Sequence, residues 1–346
     1  MRRAYAYILV VVLCWGISLP GSKALLLAER GGERLSPLQV AFWSISAGWV
    51  ALLVVLAVRR RVAAIGAVER KSWLVLVAMG FFGWAGYAVS LNTAFVRLPL
   101  PDAIIINYLH PVFAVAFQGS GFDRAVRAVL RLGREEAAAA PMPAARLAAG
   151  LALCLSGVAL IATGGHISRI GSLGSSWGAL AALFAAFSWG VYSNLGRFVR
   201  MRPGAEDRGG GDIQSWLAMS LGLAMMGAVL ALGGGFGWPS GHVVALYAGP
   251  SGPYRASAWG IIGVMGVLPY CTGYTLWLMG LEIGRRFGEA HRLPPITYLT
   301  PVLGVALGWV ALREPFGAGF WGGAALIAAG NAVIALRQRG SARVAA

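Results

Sequence analysis

One short phrase gathers the side chains best able to handle a polar solute. Tyr108-Leu109-His110-Pro111-Val112 puts a phenol, an imidazole and a proline within about one helical turn, just after the amide of Asn107. The phrase returns as Tyr298-Leu299-Thr300-Pro301-Val302, preceded by Thr297. A proline cannot donate to the carbonyl four residues before it. Pro111 therefore frees the carbonyl of Asn107, and Pro301 frees that of Thr297. Such oxygens accept hydrogen bonds from an ammonium or from water, and a proline-broken helix has a place to bend. Packing alone can also satisfy a plain proline kink. His110 can bind a solute or carry a proton, because imidazole titrates near neutral pH; it can equally be a neutral ring bonded to a neighbouring helix. Tyr108 and His110 stand about 200° apart on an ideal helix, so both face one cavity only where Pro111 unwinds the turn.

Other rings sit at similar depth. Tyr87, Trp189, Tyr192 and Tyr274 lie well inside apolar blocks, away from the interfaces where Trp and Tyr form belts. A buried phenol needs a hydrogen-bond partner, so the group points to a polar, water-accessible cavity. The candidate substrate-binding set is Tyr87, Asn107, Tyr108, His110, Trp189, Tyr192, Tyr274, Thr297, Tyr298 and Thr300, with Pro111 and Pro301 as hinges. A wall of rings and hydroxyls suits an amphipathic or aromatic small molecule. Catalysis is not expected: a membrane-embedded enzyme needs a nucleophile with a base, paired carboxylates or metal ligands. Glu29, Glu33, Asp102, Asp212, Glu282 and Glu314 fall at helix ends, and no acid lies mid-block. Cys14, Cys154 and Cys271 have no paired spacing, so neither a metal site nor a disulfide framework is expected. The chain has no G-x-x-x-x-G-K-[ST] loop, so no cofactor and no ATP-driven step are expected.

The elements that must hold these residues are membrane-spanning helices. The chain is 58% hydrophobic and 12% charged, with a mean hydropathy of +0.69. Ten apolar blocks can be drawn: Ala4–Leu27, Leu38–Val58, Ser72–Val96, Ala103–Gln118, Ala145–Thr163, Ser176–Phe198, Ile213–Leu232, Ala256–Leu281, Pro294–Leu312 and Gly317–Leu336. About 20 apolar residues cross a bilayer as a helix, and in hydrocarbon each segment must satisfy its own backbone. The net charge of +16 does not call for nucleic acid. Counting loops alternately puts Arg2, Arg3, Arg59–Arg61, Arg70, Lys71, Arg124, Arg127, Arg131, Arg134 and most later arginines on one side. The other side holds only Arg30, Arg34, Arg97, Arg169, Arg255 and Arg313. By the positive-inside rule the basic side, with both termini, is cytoplasmic. Lys23, near the outer end of the first block, is expected to snorkel to the interface or to meet an anionic group.

The repeat extends past its phrase. Trp15-Gly16 matches Trp189-Gly190, and Gln39 matches Gln214. Trp73, Met79-Gly80 and Gly86-Tyr87 match Trp259, Met265-Gly266 and Gly273-Tyr274. Gly150 and Gly157 match Gly323 and Gly330. Five blocks follow five, and because five is odd the second copy enters the membrane from the opposite side. The expectation is an all-α integral membrane protein of ten transmembrane helices, as two inverted five-helix repeats around a central cavity. Residues 1–164 form the first repeat, with a cytoplasmic insertion at 119–144, and residues 165–346 form the second. Broken helices near a repeat interface are where secondary transporters bind their cargo.

With its two Trp-Gly pairs, its two Tyr-Leu-x-Pro-Val phrases, Lys23 and Arg313-Glu314 before a glycine-rich last helix, the chain resembles the EamA family of the drug/metabolite transporter superfamily. The resemblance implies export of small metabolites or amino acids across a bacterial inner membrane. It lies nearest to the aromatic-amino-acid exporters, in which the first phrase can carry Trp where this chain has His110. A nucleotide-sugar or drug carrier of the same superfamily, or a membrane sensor that does not transport, are the alternatives. In the insertion, Arg124, Arg127, Arg131 and Arg134 share a helical face opposite Val126, Val129 and Leu130. Such a helix can rest on anionic lipid headgroups or stand in solvent. The loop Gly233–Arg255, with Trp238, His242 and Tyr247, lies on the outer side and can cap an exit.

Overall fold

The structure is a computed structural model and describes residues 2–110, 112–113, 117, 121–130, 144–166, 168, 176–202, 210–233, 235–247, 253–286, 293, 296–297, 299–313 and 315–335. Pro111, Tyr298, Arg131 and Arg134 lie outside the described residues, as does most of the 119–144 insertion. Among the described residues, five helices are long and apolar enough to cross a membrane: Arg2–Leu27, Pro37–Val58, Ser72–Arg97, Trp177–Phe198 and Gly211–Leu232. Shorter apolar helices run over Ala148–Ile161, Leu299–Leu312 and Phe320–Val333.

In chain order the helices are α1 (Arg2–Leu27), α2 (Pro37–Val58), α3 (Ser72–Met79), α4 (Tyr87–Arg97), α5 (Leu100–Asn107), α6 (Gly121–Leu130), α7 (Ala144–Ala162), α8 (Trp177–Leu195), α9 (Gly210–Leu232), α10 (Ala258–Met265), α11 (Tyr274–Arg286), α12 (Leu299–Leu312) and α13 (Phe320–Ala335). Local signals set several boundaries. Ser36 and Gln39 form a reciprocal capping box at the start of α2, with Pro37 in its first turn. Ser257 caps α10 by accepting from the Gly260 N–H at 3.1 Å. Gly164 and Gly165 turn left-handed to close α7.

The third and eighth apolar blocks are not plain helices. Each winds into a π-helical segment at the matching place, Gly80–Gly86 between α3 and α4 and Gly266–Gly273 between α10 and α11. Such segments bulge the backbone and often mark working sites. Their first glycines seat a crossing helix. A Cβ on Gly80 would stand 2.9 Å from the backbone of Ala218 and Gly222 in α9, and one on Gly266 2.7 Å from that of Gly48 in α2.

Packing follows the repeat. α1 lies on α12, α11 and the second π segment, while α8 lies on α5, α4 and the first. α2 crosses the second π segment, α9 crosses the first, and α2 and α9 touch each other. α7 pairs closely with α13. Exchanging the two halves of the chain maps each of these pairings onto another or onto itself.

The expectation of an all-α chain missed a small sheet. Strands β1 (Glu29–Arg30), β2 (Glu33–Arg34), β3 (Val243–Tyr247) and β4 (Pro253–Ser257) form an antiparallel sheet in the order β2-β1-β3-β4. Glu29 pairs with Val243, so the loop after α1 is joined to the loop after α9. Beside the sheet, Trp43, Trp238 and Trp259 pack ring on ring at 4.8–5.4 Å. At the other end of α2, Val68 bridges Met201, the Glu69 N–H donates to Arg200 O at 3.0 Å, and the Arg202 N–H donates to Ala67 O at 2.8 Å. There the Arg61 guanidinium forms an ion pair with Asp212, both largely buried.

One expectation changes. Lys23 does not snorkel: it is buried, and its ammonium donates to the carbonyls of Phe95 and, at 3.2 Å, of Leu98. It thereby neutralises the negative end of α4. In α6, Phe122 and Val126 pack on the core and Arg127 lies 5.5 Å over the Phe198 ring, leaving Val129 exposed. That helix rests on the protein through Phe122, Val126 and Arg127.

Candidate functional site

The cavity between the broken elements is lined by side chains from both halves. α1 contributes Trp15, Ser18, Leu19 and Ser22; α4 contributes Tyr87, Ala88, Leu91 and Asn92. Asn107, Tyr108 and His110 come from the end of α5 and the turn beyond it. Trp189 of α8, Pro269 and Tyr270 of the second π segment, Tyr274 of α11 and Thr297 complete the wall. No lining residue among those described is Asp, Glu, Lys or Arg. The cavity volume is about 80 Å³, room for a few waters. An amino acid needs more, so rings must shift to admit one.

Trp189 is the centre of the ring cluster. Its centroid lies 5.0 Å from Tyr87, 5.3 Å from Tyr192, 5.9 Å from Tyr274, 6.1 Å from His110 and 6.2 Å from its repeat partner Trp15. Trp15 in turn packs edge-on against Tyr274 at 5.6 Å. Gly273 leaves space for the Trp15 indole edge, and the indole N–H has no protein partner. The Asn107 amide donates to the Tyr87 phenol at 3.4 Å, and its carbonyl oxygen is buried without a protein partner. Trp15 Nε1 and Asn107 Oδ1 are thus a buried donor and a buried acceptor without protein partners among aromatic faces.

α5 ends at Asn107, and residues 108–109 form a turn before His110. The Val112 N–H donates to Leu109 O at 3.0 Å, one residue short of α-helical register. This broken turn brings Tyr108 and His110 to the same cavity, their rings 5.1 Å apart. An unbroken helix would have put them on opposite faces.

Of the residues expected at the site, Tyr87, Asn107, Tyr108, His110, Trp189, Tyr274 and Thr297 line the cavity. Tyr192 does not; it backs Trp189 and Trp84 from behind. Thr300 is buried in α12, and its hydroxyl neighbours the Tyr108 phenol without an aligned hydrogen bond. Pro301 is buried within α12. The sequence reading left out Trp15, Ser18, Ser22, Asn92 and Tyr270. The repeat carried the signal for Trp15, since its match to Trp189 places both at one depth. Tyr270 stands where the first half has Trp84, a buried ring.

The model of the EamA-like transporter family matches residues 2–120 and 176–336. No curated protein matches the chain. A solved crystal structure superposes with a TM-score of 0.55 at 20% sequence identity, covering 98% of this chain and 98% of that one. At that identity the likeness speaks for the fold alone.

Proposed function

The chain belongs to the EamA-like transporter family of the drug/metabolite transporter superfamily, a family of multi-pass membrane proteins, and from that premise we propose that it is a secondary transporter exporting amino acids or similar amphipathic and aromatic metabolites. It works by alternating access, without ATP. The observation that carries this reading is the ring-lined cavity around Trp189, with buried Trp15 Nε1 and Asn107 Oδ1 lacking protein partners and no charged side chain among the described lining residues. Aromatic faces take the apolar body of such a solute. The Asn107 oxygen accepts from its ammonium, and the Trp15 N–H donates to its carboxylate. Tyr108, His110 and Thr297 close the wall around it.

In this reading the chain forms ten spans as two inverted repeats, residues 1–164 and 165–346, and the breaks at Pro111 and Pro301 are the hinges. The exchange of packing partners between the halves supports it, as do the matched π segments. Both termini face the cytoplasm of a bacterial cell and the sheet faces outward, as the arginine distribution favours. Arg124, Arg127, Arg131 and Arg134 meet anionic headgroups.

A nucleotide-sugar carrier needs basic groups facing its cargo, and Lys23 is instead engaged by backbone carbonyls. A carrier of drug cations has no carboxylate to use among the described lining residues. Counterflow in proteoliposomes, with tryptophan, phenylalanine, tyrosine and threonine as the panel, tests the proposal. Exchange of at least one of them is the expected result. Saturable binding without flux would identify a sensor, and neither binding nor flux would remove amino acids as cargo.

A further inference from the structure

Asn331, one residue after Gly330 near the end of α13, is buried and far from the cavity in sequence. Its side-chain amide donates to the Ile327 carbonyl of its own helix at 3.1 Å. The same nitrogen lies 3.4 Å from the carbonyl of Tyr108, 223 residues away. Tyr108 is where the first half's helix loses register, because the Val112 N–H has moved to the Leu109 carbonyl. The side-chain oxygen of Asn331 has no protein partner. A buried, half-satisfied amide costs stability, and retaining one asks for an explanation.

We propose that Asn331 is a positioning residue: its amide holds the Tyr108 carbonyl at the broken turn and so fixes how far the Tyr108 and His110 rings reach into the cavity. The consequence for transport rests on the cavity being the solute site; the tether does not. α13 can act as an anchor because it is fastened to α7, where a Cβ on Gly330 would stand 2.6 Å from the Gly150 carbonyl oxygen. The tether is one-sided. The repeat aligns Gly330-Asn331 with Gly157-Val158, and Val158 is a buried side chain with no donor. One broken helix is therefore held by the other half of the chain, and its counterpart receives no such bond from Val158.

Two variants separate tethering from packing. Asn331→Leu removes both bonds; Asn331→Thr keeps a hydroxyl that can reach Ile327 but is too short to reach Tyr108. Hydrogen–deuterium exchange of the full chain in nanodiscs should speed up roughly five- to ten-fold in peptides spanning 104–113 for both variants. Peptides spanning 299–312 should stay unchanged, with little shift in melting temperature. Counterflow of L-tryptophan should show a KM several-fold higher with a smaller change in maximal rate. Unchanged exchange over 104–113 would overturn the tether, and faster exchange in every helix would reduce Asn331 to ordinary packing. Faster local exchange with an unaltered KM would overturn its influence on the cavity. If the unmodified protein carries no tryptophan, that cargo falls, while the exchange data still decide the tether.

Discussion

Trp189 is in ring contact with more of the cavity wall than any other side chain described. Ring pairs contribute about 0.5–1.5 kcal/mol each beyond burial, and Trp189 makes five. Trp189→Ala should lower solute exchange at least about ten-fold in proteoliposomes, and Trp189→Phe should recover part of it. Equal activity in the alanine variant would remove the ring cluster from the binding step. His110 faces rings, and no carboxylate lines the cavity among the described residues. His110→Gln should therefore raise KM several-fold and leave the shape of the pH–flux profile between about pH 5.5 and 8 unaltered, a range that brackets imidazole titration. A flattened profile would assign His110 to proton movement. At this scale the sequence was informative where chemistry repeats: Tyr108 returns as Tyr298 and Trp15 as Trp189. It was silent on Asn92 and Ser22, whose types are common on helix faces and whose aim into the cavity depends on how α1 and α4 pack.

Among the elements, the π segments carry close helix crossings. Gly266 abuts the backbone of α2, so Gly266→Val must push that helix away, an overpacking cost of about 1–3 kcal/mol. Thermal unfolding in detergent should report a fall of several degrees. Gly263, one turn earlier with nothing within 4 Å of an added Cβ, is the control: Gly263→Ala should leave the transition in place. An equal loss in both would overturn the crossing as the cause, since helix propensity alone favours either replacement over glycine. The chain is mostly helical, as its apolar composition led one to expect, because hydrocarbon leaves the backbone few other options. The π winding was not legible, since Gly80, Gly83 and Gly86 fit a plain small-residue face equally well. Nor was the sheet. Glu29-Arg30-Gly31-Gly32-Glu33-Arg34 is too short to read as a hairpin, and its partner strand lies more than 200 residues away.

For the whole molecule, the apolar pattern pointed to a mostly helical membrane protein, while the ties between the halves appear only in three dimensions. The buried Arg61–Asp212 pair joins α2 to α9. Arg61→Met alone leaves a buried carboxylate unpaired, which costs about 3–5 kcal/mol, whereas pairing it with Asp212→Leu should recover most of that loss. Melting temperatures of the two single variants and the double variant form the test, and additive losses would contradict it. The sheet and the Val68–Met201 bridge have a mechanical corollary. Both ends of α2 are laced by backbone hydrogen bonds to the other half of the chain. A beam clamped at its two ends does not part at the tips; it bows at its most compliant point. In the proposed transport cycle the points that would bow are the two glycine-rich π windings and the broken turn at 108–109, where the chain departs from α-helical winding. Passage on that reading buckles the waist of the bundle while the lacing at either rim stays fastened.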